Sequence, residues 1–303
     1  MRIAILGATG HLSKCVFWSF SKDKDVEFFL FSRSKINAEN FYRRFSDTTI
    51  NYFDDYQMFH RFDYDLIFNG IGSWDSKDQP SNHIFHVTEY YDNLILYYQE
   101  SHPQAISIHV SSGAAYSNSF SSPAEENSQT AIMINHIVEK DFYSIAKINS
   151  EAKHRSFPEM NIVDIRLFGF FSRYMSLEYP YLLSALIQST KEHKLFKTVK
   201  EDFWRDYIHM TDFSLLLHSI VERKRINMAV DICSKLPISK NDLIHLFVGK
   251  YGLKVQEDTS AKVSKTGIKP FYYSIQRNDL YIPQYTSLEA VENELKYFME
   301  EVQ

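Results

Sequence analysis

The chain of 303 residues carries a formal net charge of −5 and is 44% hydrophobic against 23% charged. This is a globular balance, long enough for one large domain or two small ones and apolar enough for a sizeable core. The negative balance argues against broad non-specific nucleic-acid binding, which runs on positive charge. No stretch of about 18 apolar residues predicts a membrane span, and the opening MRIAILGATG lacks the charged start, apolar stretch and cleavage site of a signal peptide. Cys15 and Cys233 are too few and too far apart for a disulfide framework or a metal cluster, which points to a reduced, cytoplasmic setting and no metal.

Strand and helix signals alternate from the start. Residues 2–6 form an apolar run ending at Gly7, as a buried parallel strand should, and Leu12, Val16, Phe17 and Phe20 fall at helical spacing over 11–20. Residues 26–31 and, more weakly, 50–53 read as strands, as do 66–68 ahead of Asn69-Gly70-Ile71-Gly72. A helix over 83–99, a strand over 105–110 ending in Ser111-Ser112-Gly113, a long helix around Tyr143 and a strand over 162–167 follow. Such alternation predicts an α/β fold with a doubly wound parallel sheet. The pattern then changes. Residues 172–198 read as helical, 207–209 as strand-like and 213–221 as helical, a return to the sheet, and the tail from Pro237 is helical and irregular with breaks at Pro270 and Pro283. With this fold the 24 Phe and 20 Tyr read as core rings rather than a base-stacking surface.

Between the first strand and first helix lies Gly7-Ala8-Thr9-Gly10-His11-Leu12-Ser13, where a dinucleotide phosphate loop must sit. Gly7 permits the tight turn, Gly10 lets the backbone approach a pyrophosphate, and the helix N-terminus offers N–H donors. The third glycine of that pattern serves close packing, and Ser13 replaces it as a small residue. A site preferring NAD carries a carboxylate after the second strand. Here the segment is Phe31-Ser32-Arg33-Ser34-Lys35, where Arg33 can fork onto a 2′-phosphate and Ser32 can donate to it. NADP(H) is therefore the favoured cofactor, with NAD(H) the other choice and a solvated loop charge the bland reading of Arg33. Tyr143 and Lys147 stand four apart, on one helical face. A nearby ammonium stabilises a phenolate, so Lys147 suits Tyr143 to proton transfer and can also hold a nicotinamide ribose. Ser112, at a strand end, could donate to a carbonyl or alkoxide, with Ser111 as its rival.

Taken in order these motifs resemble the extended short-chain dehydrogenase/reductase family, the epimerase/dehydratase group that modifies nucleotide sugars. The resemblance covers nearly the whole chain. Ser111-Ser112-Gly113-Ala114-Ala115-Tyr116 is similar to the family's serine motif, and 143–151 to its Tyr-x-x-x-Lys-x-x-x-Glu pattern. Arg166-Leu167-Phe168-Gly169 is similar to its arginine-containing strand, and Arg205-Asp206-Tyr207-Ile208-His209-Met210-Thr211-Asp212 to a nucleotide-sugar segment. The resemblance implies a Rossmann domain over 1–168 and 205–234, with a smaller C-terminal substrate-binding lobe over 169–204 and 235–303 and ligand expected in the crevice between them. It implies cofactor contacts at Gly7, Thr9, Gly10, His11, Leu12, Ser32, Arg33, Asn69, Gly70, Tyr143 and Lys147. Catalysis would rest on Ser112, Tyr143 and Lys147, with substrate contacts at Ser112, Gly113 and Arg205. Arg205 would clamp a diphosphate, or else pair with Asp202 or Asp206.

The departures select among activities. Gly113-Ala114 stands where the 4,6-dehydratases carry Asp-Glu, so dehydration lacks its acid–base pair. Neither Cys15 nor Cys233 matches the Cys–His pair of the epimerase-reductases. The expected activity is NADPH-dependent reduction of a nucleotide-activated keto sugar toward surface polysaccharide. The alternatives are a nucleotide-sugar epimerase with retained NAD and a non-catalytic NADP(H)-responsive binding protein. A homodimer is the family habit.

Overall fold

The computed structural model describes residues 1–45, 47–72, 80–116, 120–258 and 269–299. In chain order these form β1 (Arg2–Leu6), α1 (His11–Phe20), β2 (Glu27–Phe31), α2 (Lys35–Tyr42), β3 (Thr49–Phe53), β4 (Leu66–Asn69), α3 (His83–Ser101), β5 (Ile106–Ser112), α4 (Glu139–Arg155) and β6 (Asn161–Leu167). There follow α5 (Leu182–Lys191), β7 (Phe196–Thr198), β8 (Trp204–Arg205), α6 (Met210–Val221), β9 (Asn227–Asp231), β10 (Ile238–Ser239), α7 (Lys240–Tyr251), β11 (Val255–Glu257), β12 (Phe271–Tyr272) and α8 (Ser287–Met299). The chain divides into two units, one of residues 1–115, 131–167 and 214–231 and the other of 116–130, 168–213 and 232–303.

The first unit is the α/β fold the sequence predicts. Its sheet runs β3-β2-β1-β4-β5-β6-β9 with every pair parallel. Central strands such as IAIL at 3–6 are buried on both faces, which is why they read as unbroken apolar runs. The strand order reverses between β1 and β4, and that switch point opens a crevice at their carboxyl ends. Rings fill the layer beside it: Phe29, Phe31, Phe59, Tyr64 and Tyr98 belong to one buried cluster. Each fully buried Phe contributes roughly 1.5–3 kcal/mol by leaving water. The core polar group Gln99 is satisfied completely, donating to the carbonyls of Ala105 and Asn161 and accepting from Ser107 Oγ.

The second unit packs Leu183, Leu186 and Ile187 of α5 with Leu243 and Phe247 of α7 and Val291 and Leu295 of α8. Its strands are short: β10-β8-β12 form one sheet and β7-β11 another. Buried Glu294 accepts from the Arg173 backbone and from its Nε and Nη2 at 2.6–2.9 Å.

Three expectations change. The helix expected over 172–198 is confined to α5, with β7 at its end. The strand expected at 207–209 falls at Trp204–Arg205 instead, where it pairs with β10 and β12, and Ile208 makes only an isolated bridge to Phe170. The chain returns to the large sheet at β9. Tyr116, Phe168 and residues 120–130, 205–213 and 232–234, assigned by sequence to the nucleotide-binding domain, group with the second unit, where Ala124 bridges Ser274 and β8 pairs with β12. Among the described residues no helix is long and apolar enough to cross a membrane.

Candidate active site

The glycine loop stands at the switch point. Gly7 takes φ +71°, a left-handed conformation that favours glycine, and a Cβ there would lie 2.8 Å from Ile71 Cγ1 and 3.3 Å from the Gly70 carbonyl. The turn closes with Gly10 N donating to Gly7 O, and the Tyr42 hydroxyl braces it from below by donating to Ala8 O at 2.7 Å. Gly10 caps α1 in extended conformation with no side-chain hydrogen bond to the first turn. The leading N–H groups of that helix are thus left to an anion, which suits the loop to a dinucleotide pyrophosphate. Thr9 is exposed at the loop tip and Leu12 half-buried. Burial, and secondarily Lys14, pushes the His11 imidazole down to about 3. His11 therefore stays neutral, and its contribution to a phosphate is its backbone rather than its charge.

Ser13 is fully buried, and its hydroxyl has no hydrogen-bond partner among the described residues. It fits because Gly70 faces it: a Cβ on Gly70 would collide with Ser13 Oγ and approach Phe68 Cε1 to 2.9 Å. The glycine missing at position 13 is supplied from the neighbouring strand. Leaving a buried hydroxyl unpaired costs about 1–3 kcal/mol, so Ser13→Ala is expected to hold or raise the midpoint of thermal unfolding. A clear fall in that midpoint would contradict the packing account.

After β2, Ser32 is buried with its hydroxyl donating to Ser34 O, Ser34 caps α2 by accepting from Asn37 N, and Arg33 is exposed. Asn69 is buried, its Oδ1 accepting from Ile71 N.

One face of α4 is fastened to the end of β5. Ser144 Oγ donates to Ala114 O at 2.7 Å, Lys147 Nζ to Val110 O at 2.7 Å, and Glu151 accepts from Ser111 Oγ at 2.5 Å. Positions 144, 147 and 151 lie one turn apart in succession, so a single helix face makes all three ties. Glu151 also receives Arg166 Nε and Nη2, and Arg166 reaches Asp231 at 3.5 Å. Ser111 thus donates to the carboxylate, while Ser112 is buried beside Gly113 and accepts from Ala114 N at 3.2 Å. Lys147 is 7% exposed and its ammonium lies 5.8 Å from the centroid of the Tyr143 ring, whereas Tyr143 is 39% exposed. A buried cation beside an accessible phenol is an arrangement for exchanging a proton with a bound molecule. Removing one partner of a buried ion pair costs about 3–5 kcal/mol. Glu151→Gln, which keeps shape and loses charge, should therefore lower stability to denaturant by a few kcal/mol, and an unchanged unfolding midpoint would refute the tie.

In the second unit, Arg205 pairs with neither Asp202 nor Asp206. Asp202 Oδ1 accepts from Phe203 N and Asn241 N, and buried Asp206 accepts from Ser234 N and Ser287 Oγ. The Arg205 guanidinium donates to the carbonyls of Trp204 and Lys269 and stands 4.2 Å from the centroid of the Phe203 ring. Lys269, which the sequence reading did not single out, lies with its ammonium 4.9 Å from the Tyr272 ring centroid, and burial together with Arg205 pushes it down to about 8. No carboxylate bridges to either cation among the described residues. Two partly desolvated cations set against rings are a fit for a diphosphate and an aromatic base.

The model of the NAD dependent epimerase/dehydratase family matches residues 3–233. No curated protein sequence matches the chain. Among solved structures it is similar to a dTDP-glucose 4,6-dehydratase from Bacillus anthracis in complex with NAD, at TM-score 0.77 and 14% identity over 100% of this chain and 97% of that one. It is similar to a UDP-glucuronic acid 4-epimerase from Bacillus cereus in complex with UDP-glucuronic acid and NAD, at TM-score 0.76 and 16% identity over 98% and 99%. A UDP-glucose-4-epimerase from Stenotrophomonas maltophila with bound NAD and formylated UDP-arabinopyranose matches at TM-score 0.78 and 12% identity over 98% of each chain. These likenesses bear on the fold, while the family model spans the glycine loop, the serine turn and the Tyr143–Lys147 helix alike. The chain belongs to the NAD-dependent epimerase/dehydratase family.

Proposed function

We propose that the protein is a nucleotide-sugar epimerase that works by oxidising and re-reducing one sugar carbon. The observation that carries this reading is a site with one proton-transfer group and its cation, Tyr143 and Lys147, and no carboxylate after Ser112, where Gly113 and Ala114 stand. Inversion through a transient ketone needs a single group to take a hydroxyl proton and give it back, whereas elimination of water needs a further acid and base. A nicotinamide held by the glycine loop would supply the hydride acceptor and donor. Tyr143 would take the proton of the sugar hydroxyl and later return it, Lys147 would favour the phenolate, and Ser112 would hold the carbonyl oxygen as charge shifts onto and off it. Arg205 and Lys269 would bind the diphosphate. The structural neighbours crystallised with NAD and with UDP sugars support this reading over the reduction expected from sequence.

Denaturing the purified protein and identifying the released dinucleotide is the test, together with incubation with UDP-, dTDP- and ADP-hexoses and chromatography of the sugars. Bound NAD with inverted product and no net redox change supports epimerisation. One observation favours NADPH-dependent keto-sugar reduction as a second reading, namely the absence of a carboxylate at Ser32-Arg33. Copurified NADP(H), with absorbance loss on a nucleotide 4-keto sugar, would establish it instead.

Affinity for UDP should weaken as pH rises through about 8, where the Lys269 ammonium is lost, with the bound diphosphate moving that midpoint upward. Lys269→Met should bind more weakly and show a flat profile by calorimetry. A flat wild-type profile would remove Lys269 from the diphosphate site.

A further inference from the structure

Behind Lys147 the first unit buries two histidines and two aspartates drawn from four elements: Asp92 of α3, His109 of β5, His154 of α4 and Asp164 of β6. Their hydrogen bonds fix which nitrogens carry protons. Gln99 donates to two carbonyls, so its Oε1 must accept from the Ser107 hydroxyl, and Ser107 Oγ in turn accepts from His109 Nε2 at 3.2 Å. The lone pair of a neutral His109 is therefore on Nδ1, which also receives the Asn69 amide at 3.4 Å. On the other side His154 Nδ1 donates to Asp164 at 2.9 Å, so the lone pair of a neutral His154 is on Nε2, an atom that is buried without a hydrogen-bond partner.

Both lone pairs converge on one carboxylate. His109 Nδ1 is 3.4 Å from Asp92 Oδ1 and His154 Nε2 is 3.6 Å from Asp92 Oδ2, and one ligand atom from each of the three residues lies within 4.8 Å of the others. Those separations exceed the roughly 2.7–3.2 Å of an N–H···O hydrogen bond. Measured to the two different oxygens of Asp92, each is close to the edge of about 3.4 Å between ligands about 2.0–2.2 Å from a tetrahedral centre, and a small rotation of the carboxylate would bring one oxygen to face both imidazoles. Asn69 Nδ2 and Ser150 Oγ donate to two of the three from outside, but the acceptors face one another, and a cation between them would relieve their repulsion. The cations nearby are already shared: Lys153, 3.7 Å from Asp92, also bridges Glu89 at 3.2 Å, and Arg155 is bound to Asp164. The outer partners have the form of a metal site's supporting shell, with Asp164 orienting one imidazole, Ser107 the other, and Ser150 Oγ donating to Asp92 at 2.8 Å.

We propose that Asp92, His109 and His154 bind one divalent transition-metal ion of the zinc class. Two imidazoles and one carboxylate suit zinc or cobalt rather than magnesium or calcium, which take oxygen ligands. The three residues line a cavity of about 10 Å³ together with Asn69, Thr88 and Lys147, with room for roughly one water. The ion would join α3, β5 and α4 and so set the depth at which α4 presents Lys147. No step of the sugar chemistry is assigned to it. The sequence gives no hint of the site, because its ligands come from separate elements at no motif spacing.

The test uses the full chain purified without chelator or affinity metal. Plasma mass spectrometry should find close to one zinc per chain, or zinc titration into the chelator-treated protein should bind one equivalent and raise the unfolding midpoint by several degrees. Cobalt in its place should give visible ligand-field bands of a four-coordinate site, and zinc-edge X-ray absorption on the wild-type protein should show two imidazoles in the coordination shell. His154→Gln and Asp92→Asn should lose the equivalent, while His136→Gln, at an exposed position, should keep it. A protein that is metal-free as isolated and whose midpoint and spectrum ignore added zinc and cobalt would overturn the proposal, leaving a proton shared among the three groups. So would a bound zinc without imidazole ligands, or one retained in a folded His154→Gln variant.

Discussion

Tyr143→Phe is expected to reduce turnover by about 10²–10⁴-fold, the contribution of a positioned proton-transfer group, and to leave dinucleotide binding near its wild-type value. The residue stands in the second turn of α4, partly open to solvent, while Lys147 one turn on is buried and anchored to Val110 O. The phenylalanine ring keeps the packing and removes only the hydroxyl, so the helix and its ties through Ser144, Lys147 and Glu151 stay in place. Steady-state assay of sugar interconversion set beside a fluorescence titration with NAD(H) separates the two quantities. Turnover close to wild type would show that the phenol does not carry the proton. Loss of both turnover and cofactor binding would show that the substitution disturbed the fold rather than the chemistry.

Gly7→Ala is expected to cost both stability and cofactor. A side chain at φ +71° pays about 1–2 kcal/mol in backbone conformation, and the new Cβ meets Ile71 Cγ1 at 2.8 Å with the Gly70 carbonyl close behind. The loop either bears this strain or moves away from β4, and movement misaligns the uncapped N-terminus of α1. Each 1.4 kcal/mol is about tenfold in affinity, so dinucleotide binding should weaken by about tenfold or more. Calorimetry reads the affinity and denaturant unfolding the stability. Wild-type values for both would mean that the turn at Gly7 tolerates a side chain and that the phosphate cradle lies elsewhere.

Much of this site was legible beforehand because its parts are local. Gly7 and Gly10 are three apart in one turn, and Tyr143, Lys147 and Glu151 are successive turns of one helix, so spacing alone puts them on one surface. Parallel strands buried on both faces announce themselves as apolar runs, which is why β1, β2, β4, β5 and β6 were found close to their observed positions. The short strands of the second unit bear no such mark. A two-residue strand such as Trp204–Arg205 has no periodicity, and the pairing that creates it comes from residues more than 30 and 60 positions away. The aromatic surplus was readable as core, and Phe29, Phe31, Phe59 and Phe68 are buried.

The sequence favours Ser112 over its neighbour Ser111 on motif position, and both stand at the end of β5. Only the fold shows that Glu151, held by Arg166, accepts from the Ser111 hydroxyl. Ser13 looked like a lost glycine, and only the neighbouring strand shows where that space was recovered, at Gly70. By itself the sequence determined the parallel α/β fold, the glycine turn, the pairing of Tyr143 with Lys147 on one helix face and the family, because each depends on residues close in the chain or on strand hydrophobicity. The tertiary structure decided which serine is held by Glu151, that Arg205 pairs with no carboxylate among the described residues and gains Lys269 as companion, and that Asp92, His109 and His154 meet in the core. Those outcomes depend on which distant segments share a desolvated space, and burial there sets charge and hydrogen bonding in ways no spacing records.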